Sequence, residues 1–328
     1  MRAVRITRTG GPEVLAVETV EAPALGPDEV RVAVRAAGVN RADLLQCRGL
    51  YPAPPGVVPD IPGLEFAGEV IEVGARVRSH GIGDRVMGLV GGGAYAEQVA
   101  LHARELLPVP DDMDFVEAAA IPEAFVTAFD ALHRQGGLGI GSRVLIHAAG
   151  SGVGTAAIQL VAAAGGVAYG TSRTPDKLDR ARDLGLAEAI VVKDGRFADA
   201  VLALAGEGVD LILDLVGGGY VAEGVRCLRI GGRLVLVGLL AGVRCDLPLA
   251  VVLSRRVELR GTVLRSRAIE EKIEVAQAFA RQVVPLFARG ALRPVVAGVH
   301  DMAAAGEAHR RMQADDLFGK LVLTWGEA

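Results

Sequence analysis

Between Arg143 and Leu264 the chain repeats one rhythm. Short runs of Val, Ile and Leu, apolar on every face, alternate with helical stretches. The strand-like runs are "RVLIHAA", "VAYGTS", "AIVV", "VDLILDLV", "RLVLVGLL" and "VELRGTVL". Between them lie "VGTAAIQLVAAAG", "PDKLDRARDLG", "FADAVLALAG" and "YVAEGVRCLRIGG". A strand apolar on both faces must be covered on both faces, and helical crossovers supply that cover by making the sheet parallel. Six such strands in two halves predict a doubly wound α/β domain.

The first third reads differently. "EVRVAVRAAGV" alternates Val30, Val32 and Val34 against Arg31, Ala33 and Arg35, the period of a half-buried strand. "FAGEVIEVG" and "GDRVMGLV" follow, with glycines and prolines between them, and a compact, partly closed β-barrel is expected. "YPAPPGVVPDIPG" holds five prolines and must be a loop. The tail carries a long amphipathic helix, "AIEEKIEVAQAFARQVVPLFARG", and a last strand, "GKLVLTW". It is expected to return and complete the first domain. The reading is therefore a barrel domain from residues 1–122 and 265–328, and a doubly wound domain from residues 123–264.

Composition removes several classes. Aromatic residues are 4% of the chain and the net charge is −4, with no long basic run, so no nucleic-acid partner is expected. Ala148 to Gly170 lacks any charge and is long enough for a membrane span. Glycines break it into separate blocks, however, and no basic cluster or aromatic belt flanks it. The N-terminus has no signal-peptide core. A cytoplasmic protein without a membrane partner is expected. Cys47, Cys227 and Cys245 form no CxxC pair and read as reduced packing residues. The six histidines form no ligand pair and read as surface or structural groups.

"LIHAAGSGVGTAAIQL" joins the first of the six strands to its helix. At such a junction the first helical amides point outward and the macrodipole favours an anion. Gly150, Gly152 and Gly154, with Ser151 and Val153, let a pyrophosphate approach bare backbone, which predicts dinucleotide binding. An ordinary glycine-rich turn is the plain alternative. About twenty residues on, an NAD site places a carboxylate for the ribose hydroxyls. Here Ser172 and Arg173 stand, with Lys177 one helical turn further, a hydroxyl and two cations suited to the 2′-phosphate of NADPH.

These segments, with "AAGVNRADLLQCRGLYPAPPG", "IPGLEFAGEVIEVG", "GDRVMGL", "AAAIPEAFVTAFDAL" and "EAHRRMQADDLFGKLVL", resemble the medium-chain dehydrogenase/reductase superfamily. Within it they are similar to zinc-free quinone oxidoreductases related to zeta-crystallin, on the tumour-suppressor-inducible branch. The resemblance implies a GroES-like barrel from both chain ends, a Rossmann domain, and an interdomain cleft that takes NADPH and a small quinone. It implies a homodimer through the 257–263 edge strand, and it adds Thr127 and Lys320 to the cofactor's surroundings. Zinc dehydrogenases of the superfamily place metal ligands where Asn40, Leu64 and Glu123 stand here; Leu64 cannot coordinate, and residues 87–104 hold no cysteine for a structural zinc lobe. Where relatives carry a middle glycine and an adenosine-side tyrosine, this chain has Ser151 and Val192. Asn40 either binds substrate or nicotinamide, or caps "RADLLQ". Tyr51 either meets the acceptor or anchors its loop. Two other functions stay open: an enoyl reductase of the same superfamily, and a non-catalytic NADPH-binding structural protein.

Overall fold

The computed structural model describes residues 1–326, which form two compact units. One is Thr127–Val263, and the other is Met1–Val126 together with the segment from Leu264 on.

The Thr127–Val263 unit holds β1 (Arg143–Ile146), β2 (Val167–Ser172), β3 (Leu186–Val191), β4 (Val209–Asp214), β5 (Leu228–Leu236) and β6 (Glu258–Gly261). They make one six-stranded sheet in the order 3-2-1-4-5-6, with every pairing parallel. The order reverses between β1 and β4, so the ends of these two strands form the switch point where doubly wound sheets bind ligands. Val144, Leu145, Ile146, Ile212 and Leu213 are fully buried, as the all-apolar strands require. The charge-free run is explained here. It contains β1's exit turn, the helix Gly152–Ala163 and the start of β2, and every helix residue from Gly154 to Val161 is buried. Among the described residues no helix is long and apolar enough to cross a membrane. "LRIGG" is strand rather than helix end: the helix stops at Cys227 and β5 starts at Leu228, with a register irregularity against β4 and Gly231 at φ 73°.

In the other unit, strands Val296–Asp301, Lys320–Thr324, Glu29–Gly38, Glu65–Val73, Arg85–Leu89 and Leu107–Pro108 lie side by side. Gln98–His102 pairs with Glu29–Gly38 as the seventh strand. Val30, Val32 and Val34 point into a core with Phe66, Tyr95 and Leu321, and Arg35 points out. The final strand returns as expected: Thr324 pairs with Ala36 and Val322 with Gly38, antiparallel. The tail helix is two helices, Ile269–Gln282 and Val284–Ala288. Pro285 has no N–H for the preceding turn and clashes with its carbonyl, so one continuous helix cannot form.

Candidate functional site

In the Thr127–Val263 unit, the turn after β1 is shaped by its own side chains. Ala148 adopts φ 51°, a left-handed conformation that alanine rarely takes. Ser151 is the N-cap of Gly152–Ala163, and its Oγ accepts the Gly154 N–H at 3.0 Å. The Thr155 N–H bonds the Ser151 carbonyl at 2.8 Å. The N–H groups of Gly152 and Val153 are then the first-turn donors with no partner further back in the helix. A Cβ on Gly154 would strike the Ala148 carbonyl, so this glycine brings the helix down onto the strand end. A Cβ on Gly150 would lie 2.9 Å from Lys177 Cδ, so the missing side chain lets the lysine stem cross the turn.

Ser172 ends β2, and its Oγ accepts the Thr174 N–H at 3.3 Å. Val192 is core, and its N–H donates to the Ser172 carbonyl at 2.8 Å. A different tyrosine, Tyr220, stands at this end of the sheet. Its ring lies 5.0 Å from His147 and 5.1 Å from Phe197, and burial raises its phenol while nearby Arg173 opposes that shift. Tyr220 escaped the sequence reading because it starts the helix after β4, far in sequence from the other groups. The glycine turn, Ser172, Arg173 and Lys177 thus gather at one end of the sheet and fit a dinucleotide phosphate. Thr127, 8% exposed, begins the short helix Thr127–Phe129. His147 donates or accepts at Thr171 Oγ1 (2.9 Å), and burial lowers it to about 3, which makes it a neutral structural histidine.

In the other unit the site residues meet around a buried ion pair. Lys320 Nζ lies 2.6 Å from Glu65 Oε1, and it also donates to Asn40 Oδ1 (2.7 Å) and the Val39 carbonyl (3.2 Å). An ammonium has three protons, and all three are used within this unit. Lys320, which the family resemblance places in the cofactor's surroundings, is tied to Asn40 and Glu65. A Cβ on Gly38 would strike the Glu65 carboxylate, so the strand needs glycine there to seat that side chain.

Asn40 occupies the N-cap of the helix Arg41–Cys47, but its amide Nδ2 donates to Glu65 Oε1 at 2.8 Å. The helix end is secured by Asp43, whose carboxylate accepts the Asn40 N–H at 2.8 Å. Asp43 also accepts from the Gly63 N–H (3.1 Å) and Tyr95 Oη (3.2 Å), and burial raises it to about 6. Tyr51 is held by Arg265, whose guanidinium sits 4.8 Å over the ring and donates to the Tyr51 carbonyl at 3.1 Å. Arg265 also donates to Gly91 O (2.6 Å) and Gln46 Oε1 (2.7 Å). The loop is therefore anchored through its backbone. The ring meanwhile packs against a cation.

Beside these groups a hollow open to solvent has apolar walls from Leu64, Leu89, Leu107, Val126 and Val275. Its charged residues are Glu105, Glu123, Arg265 and Lys272. The Glu123 N–H donates to Glu65 Oε2 at 2.7 Å, which fixes the residue's place. Burial, then the Glu65 charge, raise the Glu123 carboxyl to about 8. Burial also raises Glu105 to about 7, against the pull of Lys272. Glu65 and Arg265 were missed in the sequence because each acts through partners far along the chain.

The family described as "Alcohol dehydrogenase GroES-like domain" matches residues 26–111, and "Zinc-binding dehydrogenase" matches 152–281. The chain is 34% identical over 324 residues to a quinone oxidoreductase of Pseudomonas aeruginosa, covering 98% of this chain and 99% of the relative. It belongs to the medium-chain dehydrogenase/reductase family. It has the GroES-like and Rossmann-type domains of that family, and the fold points to NAD(P) as cofactor. The crystal structure of JamJ enoyl reductase superposes on this dehydrogenase/reductase with a TM-score of 0.89 at 26% identity, covering 99% of both chains. The chain is also 36% identical over 299 residues to polyketide synthase GfsB of Streptomyces halstedii, covering 90% of this chain but only 5% of that protein. Although one matching family is described as zinc-binding, no group of three or more His, Cys, Asp or Glu among the described residues could hold a metal ion. Leu64 stands in the middle of the three matching positions and offers no donor atom.

Proposed function

We propose that this oxidoreductase reduces quinones with NADPH and without a bound metal. The observation that carries the reading is the capped glycine turn, with Lys177 laid across it and Ser172 and Arg173 at the end of β2. Two cations and a hydroxyl attract a 2′-phosphate, where an NAD site would offer a carboxylate. The bound cofactor supplies hydride. The chain's own residues bind and orient. The N–H groups of Gly152 and Val153 and the helix dipole hold phosphate. Asn40, steadied by Lys320 and Glu65, presents an amide, and Tyr51 offers a ring and a phenol to a flat acceptor. A quinone is already electrophilic, so positioning supplies much of the acceleration and no Lewis acid is required. The quinone oxidoreductase relative from Pseudomonas aeruginosa supports this acceptor class. We further propose a cytoplasmic homodimer joined through the edge strand β6.

A second reading is an NADPH-dependent enoyl reductase, favoured by the likeness to JamJ enoyl reductase and to a polyketide synthase. Steady-state NADPH oxidation with a simple benzoquinone and an enoyl thioester, run side by side, separates the two. Clear preference for the quinone is expected. Preference for the thioester would install the second reading, and no turnover of either would leave a non-catalytic NADPH-binding protein.

A further inference from the structure

We propose that Glu123 is the acid that delivers a proton to the acceptor, seated in the hollow it lines, as the acceptor takes up hydride. This rests on the quinone-reductase reading and assigns a catalytic residue within it.

The geometry singles out one carboxyl. Glu123 lines the hollow, and its backbone N–H is pinned by Glu65 Oε2 at 2.7 Å, which is itself held by Lys320. Its side chain therefore has a fixed root at the edge of a largely apolar hollow. The charged groups around it are Glu65, Lys320, Asp43 and Arg265, with Glu105 and Lys272 on the same hollow and the Tyr51 phenol nearby. The other candidates fail on chemistry. Arg265 cannot release a proton, Lys320 has committed all three of its own, and burial makes the Tyr51 phenol a weaker acid than usual. Burial keeps Glu123 protonated up to about pH 8, so an acid is available at neutral pH.

The balance closes. A C–H bond of a dihydronicotinamide breaks, hydride reaches the quinone, and the quinone is reduced while the dihydronicotinamide is oxidised to nicotinamide. One quinone oxygen is left with a full negative charge. The O–H bond of Glu123 breaks as a new O–H bond forms on that oxygen, giving the hydroquinone. The carboxylate, with Arg265 and Lys320 as its nearby cations, then regains a proton from water at the mouth of the hollow.

The test is the pH profile of kcat/KM for benzoquinone in the wild type, Glu123→Gln, Glu123→Asp and Glu105→Gln. The wild-type rate is expected to fall as pH rises through about 8, because the acid must be protonated. Glu123→Gln should lose about a hundredfold and lose that limb, at the low end of what general acids contribute. Glu123→Asp should keep a limb, and Glu105→Gln should leave the limb near 8 in place. Independently of turnover, an infrared titration of wild type minus Glu123→Gln should show a protonated-carboxyl band that disappears with a midpoint near 8. NADPH binding by fluorescence reports whether Glu123→Gln is folded; if it is not, the Glu123→Asp profile and the wild-type limb decide. Full activity and an unchanged limb in folded Glu123→Gln, a wild type with no limb near 8, or a limb that vanishes with Glu105 overturns the assignment while quinone reduction stands. A wild type that reduces no quinone overturns the functional reading, and this assignment with it.

Discussion

On the proposed reading, Ser172 and Tyr51 set cofactor and acceptor preference as individual side chains. Ser172→Asp keeps an acceptor for the Thr174 N–H but puts a negative charge where the 2′-phosphate would lie. The ratio of NADPH to NADH dissociation constants should shift toward NADH by about tenfold, roughly 1.4 kcal/mol; an unchanged ratio at fixed salt would move the phosphate site elsewhere. Tyr51→Ala removes the ring beneath Arg265. It should lower kcat/KM for quinone by about 1–3 kcal/mol, the worth of an aromatic contact or a hydrogen bond. NADPH affinity should barely move. Equal losses in both would mean the ring serves only to anchor its loop. The glycine turn was legible residue by residue because its strand, turn and helix are neighbours in sequence. Lys320 was not: its role depends on Glu65 and Asn40, which lie more than 250 residues away.

Secondary-structure elements were legible wherever one period ruled. The alternation of Val30, Val32 and Val34 and the six runs between Arg143 and Leu264 each give a strand of one sheet, although β6 is exposed rather than covered. The errors fell where two rules compete. "AFARQVVPLFARG" has helical periodicity on both sides of Pro285, and the missing N–H wins. "CLRIGG" reads as the end of a helix, yet β5 runs from Leu228, and its pairing with β4 passes the two glycines through a register irregularity. The strand β6 pairs with β5 on one side, and its four residues are exposed. On the helix before it no residue is buried, and Leu249 and Leu253 are 70% and 81% exposed. An antiparallel pairing of two copies centred on Leu259 would set each Glu258 opposite the other copy's Arg260, an opposite-charge pair. Sedimentation should therefore find a wild-type dimer and a weakened one in Arg260→Glu, where like charges meet. A monomeric wild type would refute the edge-strand dimer.

Stability of the whole chain has a built-in acid sensitivity. Burial lowers His147 to about 3 and His309 to about 4, against an ordinary 6.5. The unfolded chain thus binds more protons than the folded one below pH 6.5. Each histidine costs about 1.4 kcal/mol per pH unit as pH falls from there toward its folded value. Urea unfolding of wild type and His147→Gln should show the wild-type advantage shrinking at about that slope between pH 6 and 4, and a parallel pair of curves would exclude the histidine. The change of rhythm near residue 122 lies a few residues before the division at Val126/Thr127, and the return of the tail could be expected from its last strand, whereas the pairing of Thr324 with Ala36 could not, since no local pattern links strands so far apart. That pairing fixes an order of events on the ribosome. The GroES-like unit begins first and finishes last: Glu65 is synthesised long before the lysine that neutralises it, and the whole Rossmann-type unit emerges in between. Nascent chains stalled before Phe318 should resist protease over residues 127–263 while the earlier segment stays cleavable. Early resistance of that segment would show that it closes without its last strand. Until Lys320 leaves the exit tunnel, the Glu65 carboxylate lacks the ammonium that pairs with it, and the vectorial direction of translation becomes part of how the GroES-like unit is assembled.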